Sequence, residues 1–208
     1  MALEEQEQSL NISEEMGYVL FPTESISSKV FVKEDMMYKL NGRMSLKRQR
    51  SDLATLTRKL SEFANRIPES RIVPSLYRRV SYCCVIQPKI HGERLKDIGR
   101  EGVLALLQDP DTQNHAFVSK LLNYFFTAIE HRELYPDIVG YPANPDFFNS
   151  INLMADEKTR KMMLCDVGLS PHEDTVSRYG ADFYKGENVR TYVAKMREFQ
   201  SLLRSLPQ

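Results

Sequence analysis

Apolar and polar positions change period several times along the chain, and each change marks an element. Gly17-Tyr18-Val19-Leu20-Phe21-Pro22 is a short apolar run closed by proline, which predicts a strand. The polar stretch 23–28 predicts a turn, followed by strands at 29–32 and 36–40 around a tight turn at Lys33-Glu34-Asp35. Residues 17–40 therefore read as a three-stranded antiparallel meander. From Ser45 to about Arg66 the period lengthens. Leu46, Leu53, Leu56, Leu60, Phe63 and Ile67 form one stripe of an amphipathic helix, which Pro68 stops. Lys47, Arg48, Arg50, Arg58 and Lys59 line its solvated face. Runs rich in Val, Ile, Tyr and Cys predict strands at 71–80 and 82–86, ended by Gln87-Pro88-Lys89.

A helical period then takes over. Residues 95–107 are moderately amphipathic and interrupted by Gly99 and Gly102. In 114–134, Val118, Leu121, Leu122, Phe125 and Ile129 make an apolar face that Phe117, Tyr124 and Ala128 widen, predicting a central, mostly buried helix. Residues 135–150 hold three prolines and a glycine and read as an irregular loop. Two apolar runs, 151–154 and 162–165, flank a charged turn and predict a hairpin. A last helix starts near Glu187, with Val189, Tyr192, Val193, Met196, Phe199, Leu203 and Leu206 on one stripe. The order is that of an α+β chain: a β-rich lobe at 17–90, a link at 87–94 and a helical lobe at 91–208. An acidic segment, 1–16, is expected to precede them as a mobile tail.

Composition narrows the function. The chain has 208 residues, 28 Lys plus Arg and 28 Asp plus Glu, so a globally basic nucleic-acid binder is not expected. No apolar run approaches the roughly 18 residues that a membrane span needs. The first 16 residues hold five Glu and no basic residue, the reverse of a signal peptide. Three Cys, two of them adjacent (Cys83 and Cys84), cannot build a paired disulfide framework, so a reduced, cytoplasmic protein is expected. His91, His115, His131 and His172 show no metal-ligand spacing, and no Walker or nucleophile-elbow motif is present.

Several of these features, taken in order, resemble the protein-kinase-like fold over about residues 17–170. The meander ends in Tyr38-Lys39-Leu40, similar to the kinase strand whose Lys holds the nucleotide phosphates. The next helix offers Glu62 as ion-pair partner for that Lys, with Asp52 as the rival. Val85-Ile86-Gln87-Pro88 followed by Gly92-Glu93-Arg94-Leu95-Lys96-Asp97 resembles the hinge and the start of the helix after it, with Gln87 against the nucleotide. Asp166-Val167-Gly168 resembles D-F-G, 14 residues after Asn152, which resembles the metal-binding Asn.

The resemblance implies a two-lobed kinase-like fold with a reduced helical lobe, similar to small bacterial kinase-like proteins. It also implies ATP and Mg²⁺, with Asn152 and Asp166 as hard oxygen ligands. Lys39 and Asp166 would then converge on one cleft. The departures are specific. Ser25-Ile26-Ser27-Ser28 stands in place of a glycine-rich loop, so Ser27 and Ser28 would face the phosphates. No H-R-D is present. Asp137 is the preferred general base, which requires either a long insertion before Asn152 or Asn144 in its role. Three functions follow. One is a phosphotransferase acting on a protein or small-molecule hydroxyl. Another is a pseudokinase or interaction module of the same fold, with a protein partner. The third is an unrelated α+β interaction protein.

Overall fold

The structure, a computed structural model, describes residues 9–21, 28–42, 45–136, 138, 152–170 and 186–206. The chain divides into two compact units: Met1–Leu53 with Glu69–Lys89, and Ala54–Pro68 with Ile90–Gln208.

The first unit is a six-stranded sheet. Its strands are β1 (Leu10–Asn11), β2 (Val19–Phe21), β3 (Ser28–Lys33), β4 (Met36–Asn41), β5 (Arg71–Tyr77) and β6 (Val80–Pro88), in the order β1-β5-β6-β4-β3-β2. Only the β1–β5 pair is parallel. The meander and the later strand pair thus share one sheet. Hairpin geometry adjusts one boundary. Arg78 and Arg79 take φ of 48° and 65°, forming a two-residue loop with Tyr77 paired to Val80, so the first strand ends at 77 rather than 80.

The acidic start of the chain differs more from expectation. Leu10 and Ile12 alternate apolar within a polar string, which is strand period. Ile12 donates its backbone N–H to Leu76 O (2.9 Å) and extends the β1–β5 pairing. Ile12 and Tyr18 are buried against Phe31, Leu40, Tyr77, Cys84 and Ile86. Residues 9–21 therefore run from one edge of the sheet to the other and cover one of its faces.

Helix α1 (Leu46–Lys59) covers the opposite face with its first half. Ser45 Oγ accepts from Arg48 N–H (3.2 Å), capping its start. Asn41 Nδ2 donates to Gln49 Oε1 at 3.2 Å, and Arg50 donates from Nε and Nη2 to Ile72 O at 3.3 and 2.9 Å. The helix predicted to run to Arg66 stops at Lys59. Ser61–Arg66 winds as a 3₁₀ segment with a kink at Phe63 (φ −122°, ψ 33°), which lets Arg66 enter the interior of the second unit.

In the second unit β7 (Gly92–Arg94) leads into α2 (Leu95–Gln108), broken at Gly99, where φ is 74°. Helix α3 (Asn114–His131) buries Phe117, Val118, Leu121, Leu122, Tyr124, Phe125 and Ala128. It ends three residues before the predicted limit because Arg132 takes a left-handed cap (φ 56°). Strands β9 (Leu153–Asp156) and β10 (Met162–Leu164) form the expected hairpin, with β7 added at the β9 edge. A Cβ on Gly92 would lie 1.9 Å from Ala155 O, so only glycine permits that close pairing. β8 (Tyr135–Pro136) pairs with β11 (Leu169–Ser170). Helix α4 (Glu187–Ser205) buries Val189, Met196, Phe199 and Leu203. No described helix is long and apolar enough to cross a membrane.

Candidate functional site

Lys39 lies in the middle of β4, paired to Val30 on β3 and Val85 on β6. Side chains alternate along a strand, so Lys39 shares the α1 face of the sheet with Asn41. On α1, Asp52 stands one turn after Gln49, on the same side of the helix. Asn41 and Gln49 meet directly, and the chain reverses between strand and helix. Stepping back along β4 is therefore stepping forward along α1. Arg50 marks the same alignment, because it reaches Ile72, the cross-strand partner of Val85. Lys39 is thus on the sheet face that α1 covers, and Asp52 is on the side of α1 that carries Gln49. Asp52 is 1% exposed, and its Oδ1 lies 2.7 Å from Arg48 Nε. A carboxylate this deeply buried requires cationic company.

Glu62, the other candidate, belongs to the second unit. Glu62 sits on the 3₁₀ segment with its side chain 67% exposed, and its Oε2 lies 3.3 Å from Lys120 Nζ on α3. Gln87 is buried near the end of β6, opposite Met37. Ser28 begins β3, whereas Ser27, Asp137 and Asn144 lie outside the described residues.

Asn152 and Asp166 come together at the open end of the β9–β10 hairpin. Leu153 pairs with Leu164, and Cys165 N–H donates to Asn152 O (3.1 Å). Asp166 Oδ1 accepts from Gly168 N–H (3.1 Å), a turn that fixes one carboxylate oxygen. Asn152 N–H donates to Ile138 O (2.9 Å), and Pro136 pairs with Leu169 in the β8–β11 ladder. The residues flanking Asp137 in the chain are thus tied to the segments carrying Asn152 and Asp166. This arrangement offers one amide and one carboxylate. Among the described residues no three His, Cys, Asp or Glu side chains gather to hold a metal by themselves. Mg²⁺ fits such a sparse set, because it keeps several waters and takes one or two carboxylates plus phosphate oxygens.

Two residues of this region carried no signal in the sequence. Arg66 falls in a helical, charge-rich stretch, and Asn114 stands at the start of a helix, where a polar residue is ordinary. Both are buried, at 2% and 0% exposed.

No protein-family model and no curated protein matches the chain. Among solved structures it is similar to the kinase PK-1 of Cydia pomonella granulovirus, with 15% identity and a TM-score of 0.36 over 76% of this chain and 57% of that one. It is also similar to WbdD (14%, TM-score 0.35, covering 86% of this chain and 37% of that one), which has been solved with the kinase inhibitor LY294002. A third likeness is to the aminoglycoside phosphotransferase APH(3'')-Id of Streptomyces rimosus (11%, TM-score 0.37, covering 92% and 87%). The chain spans just over half of PK-1 and just over a third of WbdD. At TM-scores this low the likenesses add nothing to what the order of elements carries: meander, helix, strand pair, link, two helices, then the hairpin with Asn152 and Asp166. That order is mixed α+β.

Proposed function

We propose that this chain is a kinase-like protein that binds ATP with Mg²⁺ and transfers the γ-phosphoryl group to a hydroxyl of a protein or small molecule. The observation that supports it best is the hairpin that joins Asn152 to Asp166 beside the flanks of Asp137. Lys39 would neutralise phosphate charge, held extended by Glu62 or by its rival Asp52. The backbone of Ser27 and Ser28 would approach the phosphates, and Gln87 would sit by the nucleotide. Asn152 and Asp166 would hold Mg²⁺, which when bound neutralises charge on the β- and γ-oxygens. Asp137 would take the proton of the acceptor hydroxyl as its oxygen bonds to the γ-phosphorus and the bond to ADP breaks. The buried free thiols Cys83 and Cys84 suit a reducing, cytoplasmic setting.

A second reading keeps the fold and a protein partner without catalysis. It is favoured by Ser25-Ile26-Ser27-Ser28 in place of glycines, and by the lack of an H-R-D motif. Thermal denaturation with ATP and Mg²⁺ tests nucleotide binding, because a ligand of the native state alone stabilises it by about 2.7 kcal/mol at a hundredfold excess over Kd. Lys39→Met and Asp166→Asn should each abolish the shift. An unshifted wild type removes the transferase reading and leaves the second. Turnover that is lost in Asp137→Asn supports the transferase, and binding without turnover supports the second reading.

A further inference from the structure

Arg66 is the bulkiest fully buried side chain among the described residues, yet it meets only neutral acceptors there. Its Nη2 donates to Thr112 O, and Nη1 donates to Asn114 Oδ1 (3.2 Å) and, at 3.5 Å, to Met162 O. The guanidinium also lies over the Phe117 ring, 5.7 Å from its centroid. Asn114 completes the arrangement. Its Oδ1 accepts from Met162 N–H (2.8 Å), and its Nδ2 donates to Leu106 O (2.9 Å) and Arg160 O (3.0 Å). Leu106 belongs to the last turn of α2, whose carbonyls lack partners within the helix, and Asn114 supplies one.

Both backbone groups of Met162 and the carbonyl of Arg160 are therefore gripped by two side chains. Met162 opens β10, which runs directly to Cys165 and Asp166, and Cys165 in turn holds Asn152. Burying a guanidinium is a poor route to stability, since well-packed apolar groups often serve as well or better. What a planar fork supplies is direction. We infer that Arg66 is a positioning residue which, with Asn114, sets the register of the β9–β10 hairpin and so the place of Asn152 and Asp166. The inference rests on the metal-binding role proposed above for those two residues.

The test compares Arg66→Met, which keeps bulk without the fork, Arg66→Lys, which keeps the charge, and Phe199→Leu, a core change on α4. Two readouts are taken: ATP affinity with Mg²⁺ and with EDTA, and amide exchange at Cys165. Loss of residues supporting a metal ligand typically weakens metal binding about 10–100-fold. Arg66→Met should weaken Mg²⁺-dependent ATP binding by about that factor, leave metal-free ATP binding unchanged, and speed exchange at Cys165. Arg66→Lys should fall between it and the wild type, and decides the matter if the Met variant does not fold. Phe199→Leu should lower thermal stability while changing neither readout. Unchanged metal dependence and exchange in the Arg66 variants, or equal losses in Phe199→Leu, overturn the inference. If the wild type binds no ATP under either condition, the proposed function falls and exchange at Cys165 alone judges the positioning role. Unchanged exchange then overturns it.

Discussion

Asn114→Ala removes more than any other single polar substitution described here. The side chain is 0% exposed and takes part in four hydrogen bonds, with Leu106 O, Arg160 O, Met162 N–H and Arg66 Nη1. Each such bond contributes about 1 kcal/mol net, so the expected loss is about 4 kcal/mol. The loss should not be much smaller, because truncation strands a buried amide and part of a buried guanidinium, and each unsatisfied group costs about 1–3 kcal/mol. For a chain of this size each kcal/mol moves Tm by about 2–4 °C, which predicts a fall of about 8–16 °C. The chain has no Trp, so far-UV circular dichroism under heat and urea is the natural assay. A loss below about 1 kcal/mol, within the net contribution of one hydrogen bond, would refute the reasoning.

Three further outcomes are expected. Ile12→Ala should cost about 2–5 kcal/mol as a core truncation, whereas a change near zero in urea denaturation would return residues 9–16 to the status of a loose tail. Thr159 donates from its hydroxyl (2.7 Å) and its amide (2.8 Å) to Asp156 Oδ1, and the hydroxyl bond foremost holds that carboxyl below its ordinary 3.8. A depressed carboxyl stabilises the fold above its ordinary pKa and loses that contribution as pH falls through the folded value. Urea midpoints of wild type and Thr159→Ala should therefore differ near neutrality and converge below pH 3.8, and a gap constant with pH would count against the bond. Burial pushes the Cys83 thiol to about 11 and the Cys84 thiol to about 12, so iodoacetamide at about pH 8 should alkylate Cys165 before either. Peptide mapping that finds Cys84 modified first would contradict its burial.

The local elements were legible because their signals are local. Short apolar runs set off by proline and tight turns marked β2, β3 and β4, the leucine stripe marked α1, and the wide apolar face of 114–134 marked the buried helix α3. The hairpin around 155–161 was visible as two apolar runs about a charged turn. Leu10 and Ile12 carried a period-two signal but were outweighed by the Glu residues around them. A charge count records composition, whereas a strand needs only alternate positions.

Long-range choices had no such signal. Asp52 and Glu62 both sit on a charged, amphipathic stretch. Only the fold buries Asp52 beside Arg48 and, through the 3₁₀ segment, leaves Glu62 exposed against Lys120. Arg66 and Asn114 are 48 positions apart and meet at Met162 only in the folded second unit. The sequence by itself determined the elements, their order and the α+β class, because hydrophobic period and turn chemistry act over a few residues. The tertiary structure alone decided which polar side chains are buried and against what, because desolvation and hydrogen-bond partners are properties of the packed interior.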